Sequence, residues 1–582
     1  MVKSKKQTAF KKLLRLISGS GILLAVTLLC AAVTSIASVL TTLYIGKTID
    51  IVAGEGNVDF GGLAKALIIL AVLYGLFSVF QWFVSVLANK LAYKTSMDLR
   101  LKLFSKLGRL PVSYFDSHRH GDIVSRFTND ADSVSDALSL TVTSLFPGLV
   151  TVLSALIIML GLDVGITLVI LLATPFCFIV AYLVARFSQK TFKRQQEAVG
   201  SLSAFVSEIV GNEKVVKALG YEEKSVGRFK EINAALYKAG KTAHFASAIV
   251  NPVTRFVDHT SYMLVGVIGG ISAAAYGISA GTVSSFLIYS AQFSKPFNEM
   301  SSIMGNIQTA FAALDRIFEL LGEEEETGDA PDASELGEVR GEIKFDNVGF
   351  SYDPARPLIE GLSLFAAPGN VIAIVGPTGA GKTTIVNLLM RFYETGGGRI
   401  TVDGTDIRDI RRDALRSGFG MVLQDTWLFD GTVRENIMYG NPGASERELL
   451  TACENAQAHS FIKNLPDGYD AVITGGGENL SNGQKQLITI ARVMLANPRM
   501  LILDEATSSI DTLTEIWVQR AFGKLMEGRT SFIIAHRLST VVSADLILVL
   551  EGGRIVETGT HRELLRAKGF YSEIYRSQFE QL

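Results

Sequence analysis

The sequence predicts an α-helical membrane domain of six transmembrane helices followed by an α/β domain that opens with an antiparallel β subdomain. Three observations predict it. First, six apolar runs reach the roughly 20 residues that a helix needs to cross a bilayer. They lie at about 17–46, 62–93, 136–160, 164–186, 243–275 and 281–303. Second, the connections between them differ in charge. The segments 94–135 and 187–242 are long and basic, with Lys94, Arg100, Lys102, Lys190, Lys193 and Arg194 among their cations, whereas GEGNVDF, GLDVG and YGISAG are short and carry no basic residue. Third, from about residue 343 onward, short apolar runs bounded by glycine alternate with helical stretches, the pattern of an α/β sheet. The composition agrees: 48% of the 582 residues are hydrophobic and the mean hydropathy is +0.31, high for a wholly soluble chain. A net charge of −2 gives no electrostatic footprint for nucleic acid.

The basic start, MVKSKKQTAFKKLLRLI, precedes an apolar run too long for the core of a signal peptide, so we expect a retained first membrane helix. Basic loops stay on the cytoplasmic side, which places both termini and both long connections there. Several runs exceed what a bilayer requires, so their cytoplasmic ends are expected to project into water. The three cysteines, Cys30, Cys177 and Cys453, are far apart and form neither a disulfide framework nor a zinc spacing. The expected boundaries are a membrane domain over 1–320, an acidic linker over 321–342 (GEEEETGDAPDASELGEVRGE within it), and the α/β domain over 343–582. Strands are expected in GEIKFDNVGFSY, NVIAIVG, GRITVDG, GFGMVLQ, MLILDEA, SFIIAH and LILVLEGGRIV.

NVIAIVG runs directly into GPTGAGKTT, and Gly376, Gly381, Lys382 and Thr383 fit G-x-x-x-x-G-K-[ST] between a strand and a helix. Glycines let backbone N–H groups wrap phosphates, and the following helix start adds partial positive charge. Gly376, Thr378, Gly379, Gly381, Lys382, Thr383 and Thr384 are therefore the expected phosphate contacts, with Lys382 on the terminal phosphates and the Thr383 hydroxyl on Mg²⁺. About 120 residues on, MLILDEATSSID delivers Asp504 and Glu505 to a strand tip. Asp504 is expected to hold Mg²⁺ through water, and Glu505 to polarise an attacking water.

With these motifs in place, the chain resembles an ABC exporter half-transporter of the multidrug and lipid type over almost its full length: a six-helix membrane domain joined to a P-loop ATPase domain. The resemblance implies further roles residue by residue. Tyr352 in FSYDP matches the aromatic residue that stacks on adenine. Gln424 in VLQD matches the glutamine that meets the metal. Leu480, Ser481, Gly483 and Gln484 match the family signature, Asp511 in SSID the aspartate that communicates across the dimer, and His536 in IIAHRLST the histidine that contacts the γ-phosphate. The catalytic set is then Lys382, Glu505 and His536; the metal set is Thr383, Gln424 and Asp504; the cofactors are ATP and Mg²⁺. The segments YFDSHRHGDIVSRFTNDADSV and IVGNEKVVKALGYEE resemble the two cytoplasmic coupling loops.

In such exporters two chains pair head to tail, and each ATP lies between the phosphate loop of one and the signature of the other. The implied function is ATP-driven efflux of amphipathic drugs or lipids across the bacterial plasma membrane by alternating access. The implied partners are a second half-transporter, expected to be a different subunit with a degenerate site, membrane lipids and the transported small molecule, with no nucleic acid. A homodimeric lipid flippase, an importer or an ATP-gated channel on the same fold are the alternatives.

The signature reads L-S-N-G-Q where L-S-G-G-Q is usual, with Asn482 in a glycine's place. Two readings are open. Asparagine tolerates left-handed backbone angles, so the loop could keep its shape and the change mean little. Alternatively, this is the catalytically complete chain of a heterodimer, whose drifted signature serves the weak site of a different partner. In the membrane, Arg255, Asp258, His259 and Glu299 are the ionisable residues that could face a transport cavity. Self-neutralisation by an Arg255–Asp258 pair, or exposure to cytoplasmic water, is the competing reading.

Overall fold

The computed structural model describes residues 18–53, 58–337, 339–353, 355–424, 426–504, 511–535 and 538–579. They form two compact units. One comprises the chain up to Arg109 together with His118–Glu324; the other comprises Leu110–Ser117 together with Glu325–Leu582.

In the first unit, the six predicted runs lie in six long helices. These are α1 (Gly21–Val52), α2 (Phe60–Leu107), α4 (His120–Leu162), α5 (Val164–Gly211), α7 (Glu222–Tyr276) and α8 (Ala280–Gly322). The short helices α3 (Val112–Ser117) and α6 (Glu213–Ala218) sit at the two turns between long helices. Among the described residues, α1, α2 and α4 are long and apolar enough to cross a bilayer, and a further apolar stretch covers Val164–Ala173 of α5. The long basic connections are thus not open loops. At 48 residues, α2 and α5 each span about 72 Å, more than twice the ~30 Å of a hydrocarbon core. The basic residues ride on these helical extensions. The aromatics of α2 divide: Trp82 and Phe83 are exposed, while Phe80 packs on Cys30, Ala31 and Val84.

Helices α1 and α8 meet almost backbone to backbone. A Cβ at Gly281 would lie 2.0 Å from the Gly46 carbonyl oxygen, and one at Gly46 would lie 2.5 Å from the Gly281 carbonyl oxygen. Small residues at a crossing are how helices approach closely where no hydrophobic effect drives them together. The approach brings Asp50 of α1 to the start of α8, where its carboxylate accepts from the Gly281 N–H at 2.6 Å and the Ser279 hydroxyl at 2.8 Å. Further along, the buried Tyr289 hydroxyl donates to the Val39 carbonyl at 2.9 Å. Replacing Gly281 with alanine is expected to overpack this crossing at a cost of about 1–3 kcal/mol. Gly75 of α2 has nothing within 4 Å of a built Cβ, so Gly75→Ala is the matched control. Melting of the two variants in lipid nanodiscs checks this; equal stability would remove the crossing as a determinant.

At the other end of α8, Arg316 grips the buried Asp130 of α4 with two bonds, 2.9 and 2.5 Å. Asp130 closes a π-helical turn, Arg126–Asp130, whose Phe127 carbonyl accepts from Arg100 of α2 at 2.9 Å. The wide turn frees a carbonyl, and an arginine from the neighbouring helix satisfies it.

The second unit holds two main sheets and a small antiparallel pair, β7 (Gly431–Thr432) with β8 (Val472–Ile473). β1 (Ile343–Phe350), β2 (Ile359–Ala366), β4 (Gly397–Val402) and β5 (Thr405–Asp406) form an antiparallel sheet in the order β2-β1-β4-β5. The larger sheet has the order β12-β11-β3-β10-β9-β6, from β3 (Val371–Val375), β6 (Phe419–Val422), β9 (Met500–Asp504), β10 (Thr530–Ile534), β11 (Leu546–Glu551) and β12 (Arg554–Gly559). Its strands are parallel apart from β12, which returns on β11 through Gly552 and Gly553 at φ +54° and +78°. That double left-handed turn splits LILVLEGGRIV into a hairpin. β2 was not among the expected strands, although Ile359, Leu362, Leu364 and Ala366 are its buried positions. One apolar core, including Ile343, Phe345, Ile385, Leu389, Ile502 and Phe532, joins both sheets to the helix after β3.

The acidic segment before β1 is tied to this unit. Glu326 pairs with Arg416 at 2.5 Å, Asp329 with Arg412 at 3.1 Å, and Leu336 and Val339 pack on the core. Its charge run finds arginines in the fold.

Candidate nucleotide site

Strand β3 is flanked in register by β11 and β10 and is buried from Ile372 to Val375. The chain leaves the sheet at Gly376, whose backbone passes so close to Leu550 that a Cβ would lie 2.4 Å from its carbonyl oxygen. Gly379 and Gly381 then take φ of +84° and +96°, and α9 (Lys382–Leu389) begins at once, with Gly381 as its cap. The first N–H groups of a helix lack partners within it. Here they open toward a loop whose Thr378, Gly379 and Thr383 are exposed. Lys382 folds back over the loop and donates from Nζ to the Gly376 and Pro377 carbonyls at 2.7 and 3.0 Å. Burial pushes its ammonium below the usual lysine range, and the charge of Asp504 opposes that shift. This donor set, with an exposed hydroxyl at Thr383, fits a triphosphate with its divalent cation.

The sheet brings the other candidates to the same edge. Asp504 ends β9 opposite Ile534 of β10, and Ile534 is opposite Ile374 of β3. Two strand spacings, about 10 Å, thus separate Asp504 from the loop's root. Gln424 follows β6, the next strand beyond β9, and is exposed two residues past its end. Ligands bind at the carboxyl edge of such a sheet. Glu505 and His536 follow β9 and β10 but lie outside the described residues.

The signature occupies the start of another helix, after α10 (Val433–Met438) and α11 (Glu446–Asn455), both of which it packs against: α12 (Asn482–Ala496). Ser481 is its cap. The Ser481 Oγ accepts from the Gln484 N–H at 3.3 Å, and the Gln484 Oε1 accepts from the Ser481 N–H at 3.0 Å, a reciprocal capping box. The side chain of Gln484 is thereby committed to the cap. Asn482 needs no left-handed backbone. It is the first residue of a right-handed helix, a position that any ordinary residue can take, so the special tolerance of asparagine is not what preserves the loop. Leu480 and Gly483 are buried, and Asn482 is exposed. Asp511 caps α13 (Thr512–Met526): its carboxylate accepts from the Thr514 N–H at 3.0 Å, which holds it below the usual carboxylate range.

Tyr352 is half exposed, with its hydroxyl 3.3 Å from Thr384 Oγ1 and 3.2 Å from Asn387 Nδ2. Sequence reasoning missed its neighbour Tyr393, whose ring meets that of Tyr352 at 4.9 Å and 89° and whose hydroxyl donates to Asp116 of α3 at 2.5 Å. The run RFYETGGG carries no periodicity that would have singled it out. In the membrane unit, Arg255 and His259 are exposed on α7, the Asp258 side chain lies outside the described residues, and Glu299 faces Lys295 of its own helix at 3.9 Å.

A bundle of bilayer-length helices carried on one chain with a phosphate-loop sheet defines a membrane-embedded nucleotide hydrolase. Residues 24–297 match the ABC transporter transmembrane region, and residues 359–508 match the ABC transporter family. A fatty acid ABC transporter ATP-binding/permease protein of Mycobacterium tuberculosis is 43% identical over 528 residues, covering 91% of this chain and 83% of its own length. An ATP-dependent lipid A-core flippase of Syntrophus aciditrophicus is 34% identical over 582 residues, covering 99% and 96%. The solved structure of a bacterial Atm1-family ABC exporter with ATP bound superposes with a TM-score of 0.75 at 28% identity, over 97% of this chain and 98% of that one. The chain belongs to the ABC transporter family, with its membrane and ATP-binding regions in one polypeptide and the fold of an ABC exporter. It is an ATPase coupled to transport.

Proposed function

We propose that this chain is one half of a heterodimeric exporter that moves amphipathic or hydrophobic compounds, drugs or lipids, across the bacterial cytoplasmic membrane, with both termini and the ATPase unit in the cytoplasm. The observation that carries the coupling is the α3 turn. Leu110–Ser117 lies in sequence between two long membrane helices, yet packs within the ATPase unit. The names of the mycobacterial and Syntrophus relatives, a fatty acid transporter and a lipid A-core flippase, support a lipid or fatty-acid cargo.

In this reading Gly376–Thr384 wraps the phosphates and Lys382 neutralises the terminal ones. Tyr352 stacks on adenine, Glu505 takes the proton of the attacking water, and His536 contacts the γ-phosphate. Thr383, Gln424 and Asp504 would hold Mg²⁺, which when bound neutralises charge developing between the β- and γ-phosphates. Ser481 and Gly483 serve the ATP held by the partner chain, with Gln484 shaping that helix start and Asp511 facing the partner. Among the described residues, the Ser481 side chain bonds within its own cap, which suits a group presented to another chain.

The heterodimer rests on Asn482 in an otherwise complete chain. Native mass spectrometry of the complex, drawn from its host membrane on a tag on this chain, tests it. A second, different subunit of similar size is expected. A mass of twice 63.0 kDa from this chain alone would make the exporter a homodimer with two equal sites.

A further inference from the structure

Three rings pack together beside the candidate adenine position, and they join two elements that are far apart in sequence. Phe350 meets Tyr352 at 4.9 Å and 87°, Tyr352 meets Tyr393 at 4.9 Å and 89°, and Phe350 meets Tyr393 at 5.6 Å and 67°. Edge-to-face pairs at this separation are close to their preferred spacing, so no ring can turn without displacing its neighbours. Each end of the cluster is anchored by a hydroxyl. Tyr352 is held against α9 through Thr384 and Asn387. Tyr393 is held against α3 through the Asp116 carboxylate, a short charge-assisted bond of 2.5 Å. Burial raises the Tyr393 phenol above the usual tyrosine range, and the neighbouring carboxylate adds to the shift, so the hydroxyl remains a donor.

We propose that Tyr393 is a positioning residue that reports occupation of the adenine side of the site to the α3 turn. This rests on the reading of Tyr352 as the base-stacking residue. A base laid on the exposed ring of Tyr352 fixes the plane of that ring, Tyr393 follows through the edge-to-face contact, and its hydroxyl carries the change to Asp116. Phosphates alone reach Tyr352 only through the Thr384 bond to its hydroxyl and leave the exposed face of its ring uncovered. The turn therefore responds to a purine triphosphate and not to phosphate charge as such.

The test is hydrogen–deuterium exchange on the full complex in lipid nanodiscs, with a non-hydrolysable ATP analogue or inorganic tripolyphosphate, each with Mg²⁺. In the wild-type chain the analogue is expected to slow exchange in both 376–384 and 110–117, and tripolyphosphate in 376–384 alone. Tyr393→Phe keeps the ring and removes the bond. It should leave protection of 376–384 within twofold and cut that of 110–117 at least fivefold. Asp116→Asn retains an acceptor oxygen and should keep at least half of the protection. Full protection of 110–117 in Tyr393→Phe, or equal protection by tripolyphosphate, would overturn the proposal. If the analogue fails to protect 376–384 in the wild-type chain, the nucleotide reading itself fails and takes the proposal with it.

Discussion

Glu505→Gln is expected to lower ATP turnover by about 10²–10⁴-fold while leaving ATP bound and the two ATPase units closed on it. Strand β9 carries the argument. It is buried from Met500 to Leu503 and is pinned in register against β10, so it delivers Asp504 to the carboxyl edge where the phosphate loop opens, and Glu505 is the next residue in the sequence. An amide at 505 keeps the shape of the side chain but cannot take a proton from water. Turnover and retained nucleotide are measured on the same purified complex. Turnover within twofold of the wild type would remove Glu505 as the base, whatever the retained nucleotide shows.

Lys382→Ala is expected to weaken ATP binding by about 10–150-fold, the equivalent of the roughly 1.5–3 kcal/mol of one hydrogen bond to a charged group. The loop already holds this ammonium in place through the Gly376 and Pro377 carbonyls, so little side-chain entropy remains to be lost when phosphate arrives. The pH dependence has a definite sign. Burial lowers the pKa of Lys382 in the nucleotide-free chain, and the negative triphosphate raises it again on binding. Between those two values the complex binds more protons than its parts, so affinity falls as pH rises through that window. Isothermal titration in buffers of differing ionisation enthalpy should show proton uptake there, and Lys382→Ala should abolish it. An alanine variant with wild-type affinity would mean that the backbone N–H groups alone hold the phosphates.

Much of the architecture was legible in the sequence because the signals that carry it are local. Apolar length fixes the membrane helices. The step from NVIAIVG to GPTGAGKTT fixes a strand, a glycine loop and a helix start in succession, and the structure places them in that order. The candidate phosphate contacts, Asp504 and Gln424 fall at one sheet edge because strand ends are local features and a parallel sheet aligns its carboxyl ends. β2 escaped notice because its alternating residues are interrupted by Gly361 and Ser363, and its stability comes from pairing with β1. The reason for tolerating Asn482 was misjudged because a motif written as a glycine loop gave no sign that its third residue is already helical.

What the sequence by itself determined, then, was the kind of protein: bilayer-length apolar helices, a phosphate loop and a strand-tip aspartate are each set by short stretches whose chemistry does not depend on distant residues. What only the tertiary structure decided were the joints between them. Gly46 against Gly281, Asp130 under Arg316, Glu326 against Arg416 and Asp116 against Tyr393 each pair residues 90 or more positions apart. No periodicity encodes such pairs, because a hydrogen bond or a close backbone contact is specified by where the folded chain brings two groups together. In this exporter fold those joints include the contact, within the ATPase unit, between Tyr393 and Asp116 of the Leu110–Ser117 turn.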